Sequence, residues 1–391
     1  MIERGIARRR LMRAAAVVSF VLISGCSMIP KTTGPDTTGP TTSGPSQGVL
    51  PTDTERHRVA LLVPMSGENA AVGQSISNAA TMALLDTNAT NLRVTTYDTS
   101  ENAGVAARKA IADGNQLILG PLLSDNIPAV AAQARGANIP LISFSNDERA
   151  ASRNVYIMGN LPSQSVTRTV KFARSKGITT FAGLVPRGEY GSRASDALLA
   201  AARQTGSTVV AMETYDRSTQ SIQSAAASLR SKGGYGAVLI ADGGRMSAVA
   251  APLLEPVEEN AEPVKLMGTE LWSGEKAVTS SPALRGAWYA AVSDNRFAQF
   301  SNSYRTRFGA QPYRIATLGY DAVLLSLRIS RDWTPGQKFP VDRLTDSGGF
   351  LGLDGAFRFG RDGVVERSLE VREVRYGGVS VLSPAPSRFQ D

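Results

Sequence analysis

The side chains best suited to bind a ligand lie in one stretch of the chain, residues 116–147. There a short apolar run, Leu117–Gly120, leads into a Pro-Leu-Leu-Ser turn and an Ala-rich segment that ends at Gly136. A second apolar run, Ile139–Phe144, ends in polar residues, namely Ser143, Ser145, Asn146 and Asp147. This order predicts a strand, a helix and a second, parallel strand. Ligands bind at the carboxyl ends of strands in open parallel sheets, so this stretch is the first candidate binding region.

Reactive side chains are scarce in this sequence. Cys26 is the only cysteine and His57 the only histidine among the 391 residues. A zinc site of cysteines and histidines, an internal disulfide and a Cys-His pair are therefore excluded. A Ser-His-Asp triad would have to use His57, which lies at the edge of a linker-like segment, so a hydrolase is the least favoured class. We expect a protein that binds rather than reacts, with no metal and no cofactor.

The charge of the chain does not indicate a nucleic-acid partner. The formal net charge is +8 at pH 7. Half of it, +4, comes from five arginines and one glutamate near the N-terminus: Glu3, Arg4, Arg8, Arg9, Arg10 and Arg13. The rest is spread along the chain, without a basic stripe and interleaved aromatic residues, so we expect no binding to nucleic acid.

The N-terminus has the features of a lipoprotein signal. The arginines precede an apolar run, Ala14–Ile23, that is too short to span a bilayer. Ile23-Ser24-Gly25-Cys26 then resembles the bacterial lipobox, in which the cysteine is acylated and becomes the new N-terminus. We predict a signal peptide over residues 1–25 and a lipid on Cys26; the alternative is a plain secretory signal with an incidental cysteine. Ser27, in place of aspartate, implies the periplasmic face of the outer membrane.

A tether follows the predicted lipid. Three related segments, Thr32–Pro35, Thr37–Pro40 and Ser43–Pro45, repeat a Thr/Ser-Gly-Pro theme. Such a composition buries too little apolar surface to fold, so we predict a flexible tether over residues 26–56 that lets the globular part stand off the membrane.

Beyond the tether, strands and helices alternate in two series. The first series has predicted strands at Arg58–Val63, Leu92–Tyr97, Leu117–Gly120, Ile139–Phe144 and Val155–Met158. Pro162 marks a crossing, after which the second series has strands at Thr179–Val185, Thr208–Thr214, Gly236–Ala241 and Lys265–Gly268, with a loop at Gly188–Gly191. Strict alternation implies a parallel, doubly wound sheet in each series.

The remaining chain is predicted to return to the first lobe and then cross again. Phe297–Phe308 and Ala316–Ile329 have apolar helical stripes, and Gly355–Phe359 and Ser368–Val374 form two strands joined by a turn at Gly360–Gly363. The predicted fold is α/β, with two doubly wound parallel-sheet lobes and a hinge of several crossings. Lobe I comprises residues 57–164 and 297–346, and lobe II comprises residues 165–296 and 347–391.

Short motifs in a fixed order resemble the type I periplasmic binding proteins, the fold of branched-chain amino-acid receptors. These motifs are Leu62–Gly67 with Gly73, Gly120-Pro121, Ile139–Ser143, Gly319–Ala322, and Gly352–Phe359 with the turn at Asp362-Gly363. The resemblance covers about residues 57–380. It implies that a small ligand binds in a cleft between the two lobes.

The same resemblance implies which side chains face the cleft. The first lobe would contribute Ser66, Ser124, Ser143, Ser145 and Asn146, and the second lobe Tyr190, Asp242, Glu270 and Trp272. Hydroxyl and N–H groups at helix starts suit a carboxylate, an acidic residue suits an ammonium, and an aromatic ring can cover an apolar side chain. The alternative is that the serines and the asparagine only cap helices.

One segment resembles a narrower branch of this fold. Ile118–Asn126, together with the lipobox, is similar to the penicillin-binding protein activators, outer-membrane lipoproteins that stimulate peptidoglycan synthases. The best-known activators carry a long N-terminal module of helical repeats, whereas only the tether precedes the lobes here. Our first hypothesis is a non-enzymatic regulator that binds a penicillin-binding protein. The apolar Leu122 and Leu123 make the loop after Gly120-Pro121 less typical of an amino-acid receptor. The second is a receptor for an amino acid or a similar small molecule.

Overall fold

The computed structural model describes residues 55–255, 263–386 and 389. The predicted signal peptide, Cys26 and nearly all of the tether lie outside the described residues. Those that are described belong to one compact unit. None of their helices is long and apolar enough to cross a bilayer. They form two α/β lobes, which confirms the predicted fold class.

The first lobe begins with an apolar interior strand, β1 (His57–Val63). Helices cover both faces of its sheet, which is why β1 is a nearly continuous apolar run with little alternation. The other elements of this part are α1 (Ala70–Asp86), β2 (Leu92–Asp98), α2 (Ala103–Ala112), β3 (Leu117–Leu119), α3 (Ile127–Ala137), β4 (Leu141–Ser143) and β5 (Val155–Ile157). The strands are parallel in the order β2-β1-β3-β4-β5.

The second lobe repeats this plan. Its elements are α4 (Pro162–Ser175), β6 (Thr180–Pro186), α5 (Glu189–Gln204), β7 (Thr208–Tyr215), α6 (Thr219–Lys232), β8 (Ala237–Ile240), α7 (Gly244–Ala250), β9 (Lys265–Met267), α8 (Lys276–Ser280) and β10 (Trp288–Ala291). The parallel part of the sheet has the order β7-β6-β8-β9-β10, which matches the first lobe strand for strand. In this topology the crevice for ligands lies at the carboxyl ends of the strands.

A glycine near the start of a helix shows how closely the two lobes correspond. A Cβ on Gly73 of α1 would lie 1.7 Å from the carbonyl oxygen of Pro64, and one on Gly191 of α5 would lie 1.7 Å from that of Pro186. Only glycine therefore lets each helix approach the end of the strand before it. The predicted loop at 188–191 is wrong in this respect, because α5 already begins at Glu189.

The C-terminal part of the chain adds to both lobes. Helices α9 (Phe297–Phe308) and α10 (Thr317–Ile329) pack against α1 in the first lobe. Strands β11 (Phe350–Gly352), β12 (Gly355–Phe359) and β13 (Val365–Arg367) form a small antiparallel sheet. Strands β14 (Glu370–Arg375) and β15 (Gly378–Ser383) extend the second sheet in antiparallel fashion beside β10. The chain thus passes between the lobes after β5, after β10 and after β13.

Two predictions about this region need correction. The hairpin turn after β12 leads to β13, and not to a strand at Ser368–Val374, because β14 pairs with β10 of the other lobe. The lobe boundary predicted at residue 347 is also wrong. Phe350, Phe357 and Phe359 belong to the core of the first lobe, so the last crossing follows Arg367.

The single histidine is a core residue. The His57 ring stacks on Trp333 with centroids 4.3 Å apart, and 3% of the residue is exposed. Burial lowers the pKa of its imidazole. This placement gives His57 a packing role at the start of β1.

Candidate ligand site at the hinge

A small cavity of about 30 Å³ lies where the two lobes meet. Arg314 and Arg367 line it from the first lobe, Asn160 from the crossing between β5 and α4, and Glu270 and Ser273 from the second lobe. Apolar walls come from Leu161, Ala291, Val292 and Leu369. The cavity has room for about two water molecules.

Several buried polar atoms at this cavity have no hydrogen-bond partner within the described part of the chain. They are Oδ1 of Asn160, Oε2 of Glu270, and Nε and Nη1 of Arg367. More than about nine-tenths of buried polar groups in proteins are hydrogen-bonded, because an unpaired one costs about 1–3 kcal/mol. Such a concentration of open donors and acceptors at one cavity is typical of a binding site.

Arg367 is held rigidly at the cavity. Its Nη2 donates to the carbonyl oxygen of Met158 at 2.6 Å, and its backbone N–H donates to Oε1 of Gln164 at 3.0 Å. The Gln164 side chain also donates to the carbonyl of Val365. The guanidinium lies over the ring of Phe357 at 5.3 Å from the centroid. These contacts fix Arg367 while two of its nitrogens stay open, which is the arrangement of a preorganised donor.

A buried group of charges lies behind Arg367. Asp354 accepts hydrogen bonds from Nη1 of Arg314 and from the Thr317 hydroxyl, both at 2.8 Å. Asp321 is fully buried and accepts from the backbone N–H of Leu353 at 2.6 Å. Burial, and then the nearby charge of Asp354, raise the pKa of Asp321 to about 7. Asp354 is thus paired with Arg314, while Asp321 is held by the backbone N–H groups of residues 353 and 354.

Glu270 is the acidic residue of the cavity. It follows β9, and its Oε1 accepts a hydrogen bond from the Tyr190 hydroxyl at 2.9 Å, while that hydroxyl also lies 2.7 Å from Oγ1 of Thr269. Burial raises the pKa of Glu270 to about 7 and that of Tyr190 well above its usual value. Near neutral pH the carboxyl group can therefore be present in either protonation state.

The four predicted cleft serines of the first lobe form hydrogen bonds to the loops around the ends of the strands. Ser143 donates to the carbonyl oxygen of Pro121 at 2.8 Å and accepts from the backbone N–H of Ser145, whose hydroxyl accepts from the backbone of Asp147. Ser66 donates to Asp98 at 2.8 Å, and Ser124 bonds its neighbour Asp125. These serines shape the ends of the strands.

Asp98 organises the loops after β1 and β2. It accepts hydrogen bonds from the backbone of Met65 and from Ser66 and Ser100, and these bonds hold the pKa of its carboxyl well below the usual range. An aspartate after a strand with a Ser-rich partner loop was visible in the sequence, yet it was not among the predicted site residues.

Trp272 and Asp242, two of the predicted cleft residues of the second lobe, are joined by a hydrogen bond and are largely buried. Nε1 of Trp272 donates to the carbonyl oxygen of Asp242 and to the Ser247 hydroxyl, each at 3.0 Å, and 1% of Trp272 is exposed. The carboxylate of Asp242 accepts from the Tyr215 hydroxyl at 2.7 Å and from its own loop at Gly243. Among the predicted cleft residues, Glu270 lines the cavity, and Trp272 and Asp242 lie in the core beside it.

Asn146 takes part in a bridge between the lobes. Its Oδ1 accepts from Nη1 of Arg193 on α5 at 2.9 Å, and Nη2 of Arg193 pairs with Asp147 at 3.1 Å. Arg149 pairs with Glu189 on the same helix at 2.6 Å. We call these four charged residues and Asn146 the interlobe bridge. It closes the crevice between the lobes on the side of β4 and α5.

Comparison with known proteins identifies the family. The sequence profile of the family described as periplasmic binding protein matches residues 57–378. The chain belongs to this family. A structure of a putative branched-chain amino acid ABC transporter from Rhodospirillum rubrum has a TM-score of 0.73, with 20% identity, over 84% of this chain and 100% of that one. A leucine binding protein from Thermotoga maritima has a TM-score of 0.64, with 17% identity, over 84% and 98%.

Two further proteins are similar to this periplasmic binding protein. A solute binding protein of an ABC transporter from R. palustris, solved in complex with benzoate, has a TM-score of 0.64, with 18% identity, over 85% of this chain and 98% of that one. An uncharacterized protein of Rickettsia prowazekii is 27% identical over 169 residues, which is 43% of this chain and 45% of that protein. The match therefore spans less than half the length of that relative.

The sequence analysis missed Asn160, Arg314 and Arg367 in this periplasmic binding protein. Arg314 and Arg367 belong to lobe I, and Asn160 to the crossing before α4, so they meet only at the hinge. A weak signal was present, because Arg367 interrupts an otherwise alternating strand pattern immediately before the last crossing.

Proposed function

We propose that this protein binds a small solute in the hinge cavity and has no catalytic activity. The observation that carries the proposal is the convergence of unpaired buried groups from both sides, Asn160 and Arg367 on one and Glu270 on the other. A solute that bonds to both sides is stabilised by contacts that neither lobe can supply alone. One structural neighbour is named a leucine binding protein and another was solved in complex with benzoate; leucine and benzoate are both small carboxylates.

Binding requires the lobes to separate. The present cavity of about 30 Å³ is smaller than an amino acid, and the interlobe bridge closes the crevice. We infer a hinge motion about the crossings after β5, β10 and β13, in which the bridge between Arg193 and Asp147 breaks and the solute enters. Closure then surrounds the solute and restores the bridge.

Thermal unfolding in the presence of candidate solutes tests this proposal. A panel of L-amino acids and aromatic carboxylates is added to the purified protein, followed by calorimetric titration of any solute that raises the melting temperature. A solute present at 100 times its dissociation constant stabilises the folded state by about 2.7 kcal/mol, which corresponds to a rise of several degrees. An Asn160→Ala variant should lose most of this rise, whereas Arg343→Ala, which removes an exposed ion pair with Asp332 away from the cavity and the interlobe bridge, should keep it. A flat response across the whole panel would refute the proposal.

A second candidate function follows from the resemblance of Ile118–Asn126 to the penicillin-binding protein activators. In this proposal the protein is anchored through a lipid on Cys26 at the periplasmic face of the outer membrane and contacts a peptidoglycan synthase. Leu123, which is 40% exposed at the loop before α3, offers an apolar contact for such a partner. The structural neighbours are solute-binding proteins, which favours the first proposal.

Affinity capture with the purified lipoprotein separates the two proposals. The second predicts that a penicillin-binding protein is captured by the wild type and lost with Leu123→Ser, and that Cys26→Ser abolishes incorporation of a labelled fatty acid. Failure to bind or stimulate any synthase would remove this candidate without affecting solute binding.

A further inference from the structure

The side chains around the hinge cavity also indicate the charge of its ligand. We propose that the solute is an acidic amino acid whose side-chain carboxylate binds Arg367. This inference rests on the proposed function, and it distinguishes the present protein from a receptor for neutral branched-chain amino acids.

The first argument is the state of the Arg367 guanidinium. The residue is 6% exposed, one nitrogen donates to the Met158 carbonyl, and Nε and Nη1 remain buried without partners. An arginine presents five N–H donors and cannot lose its charge, so leaving two buried nitrogens unpaired is costly. A carboxylate is the side-chain-sized group that best satisfies such donors.

The second argument is that nearby carboxylates do not neutralise Arg367 by direct contact. Asp354 forms its ion pair with Arg314 at 2.8 Å, and Asp321 directs its oxygens to the backbone of Leu353 and Asp354. Within the described residues, neither carboxylate forms an ion pair with Arg367. The positive charge is therefore supported by Asp321 and Asp354 at longer range, while its donors stay available to a ligand.

The third argument concerns the opposite wall. Oε2 of Glu270 is a buried acceptor without a hydrogen-bond donor in the described part of the chain. The other carboxylate oxygen, Oε1, already accepts a hydrogen bond from Tyr190. An acceptor at one end and cationic donors at the other suit a solute with an ammonium and a carboxylate. Leu161 and Leu369 also line the cavity and provide an apolar surface for a short methylene chain. Asn160 adds a polar contact beside Arg367.

Matched pairs of amino acids test the inference directly. Calorimetric titrations at pH 7.5 compare L-glutamate with L-glutamine and L-aspartate with L-asparagine, because each pair has nearly the same shape and differs in charge. We expect at least one acidic member to bind ten times more tightly than its amide, or better. L-Leucine serves as the neutral probe with an apolar side chain.

Variants of Arg367 assign the preference to this residue. Arg367→Gln should reduce the preference for the acid over the amide to less than about threefold, and Arg367→Lys should retain part of it, because lysine keeps the charge but loses the planar donor geometry. Circular dichroism checks folding, since Arg367→Gln also removes a charge near Asp321 and Asp354. If that variant does not fold, the role of Arg367 is decided by comparing the ratio of acid to amide affinity between Arg367→Lys and the wild type.

The possible failures are distinguishable. If L-leucine or the amides bind as well as the acids do, the solute-binding proposal stands and the acidic-ligand inference is wrong. An acid preference that Arg367→Lys and Arg367→Gln leave unchanged would also overturn the role of Arg367. If no amino acid binds, the acidic-ligand inference is wrong, and the solute-binding proposal then depends on the aromatic carboxylates of the thermal panel.

Discussion

The serines at the end of β4 and the side chains at the hinge cavity are both polar and buried, yet they differ in how fully they are hydrogen-bonded. The hydroxyls of Ser143 and Ser145 are bonded to the loops after β3 and β4, whereas Asn160, Glu270 and Arg367 keep open donors and acceptors. A polar group at a strand end is therefore a weak indicator of binding. The stronger indicator is hydrogen-bonding capacity that the fold leaves unused.

This difference has a structural reason. The loop after β4 must satisfy its own backbone as it leaves the sheet, and short hydroxyl side chains do so locally. At the hinge, by contrast, Asn160, Arg314 and Arg367 come from segments far apart in the chain. No single loop can arrange their mutual bonding, so a ligand can take that place. The following substitutions test the contrast in order of expected effect.

The largest effect is expected for Trp272→Ala. Because Trp272 is fully packed and its Nε1 bonds Asp242 and Ser247, its removal should lower the free energy of unfolding by about 3–5 kcal/mol in urea titrations. Trp272→Phe, which keeps most of the volume and loses the donor, should cost about 1–3 kcal/mol. Near-normal stability together with lost solute binding would instead make Trp272 a ligand contact and weaken the comparison.

The sequence was sufficient for the fold because each lobe depends on local patterns. Buried parallel strands are apolar runs, as in β1, and glycines such as Gly73 mark the close approach of a helix to a strand end. Glu270 could be predicted for the same reason, since it lies in the short loop that follows β9. These features depend on residues that are neighbours in the chain.

Arg367 could not be predicted in this way. Its sequence neighbours, Glu366 and Ser368, are polar, and a charged residue in a strand near a turn is usually solvated. Its burial follows from the crossing between β13 and β14. The sequence predicted one hairpin here and no crossing at this point. Arg314 likewise gains its role from Asp354, 40 residues away in the chain. Contacts of this range are set by the assembly of the lobes.

An intermediate effect is expected for Glu270→Gln, with opposite signs for stability and binding. Burial raises the pKa of Glu270 from 4.5 to about 7, so the folded state binds this proton more tightly than the unfolded chain does. This residue's contribution to stability therefore falls as the pH rises from about 4.5 to about 7 and stays low above that range. The amide lacks this ionisation and should stabilise the ligand-free protein at pH 8 by about 1–3 kcal/mol.

Urea titrations between pH 4 and pH 8 provide the measurement. The difference in stability between Glu270→Gln and wild type should grow with pH across that window, while the binding of an amino acid weakens at least tenfold. Glu366→Gln, a change at an exposed carboxylate near the same crossing, serves as the control and should not reproduce the stabilisation at pH 8. A difference that is independent of pH would show that Glu270 is ionised freely in the folded protein.

The smallest effect on stability is expected for Arg193→Ala in the interlobe bridge. Its side chain is 11% exposed and bonds Asn146 and Asp147, so its loss should cost about 1 kcal/mol and should favour the open arrangement of the lobes. Small-angle scattering should then show a larger radius of gyration without solute. Arg149→Ala is the matched control, because Arg149 and Glu189 are exposed and such pairs contribute about 0–1 kcal/mol. If Arg193→Ala scatters like Arg149→Ala, the hinge cavity alone holds the lobes together, and the unpaired groups there must be bridged by water in the ligand-free protein.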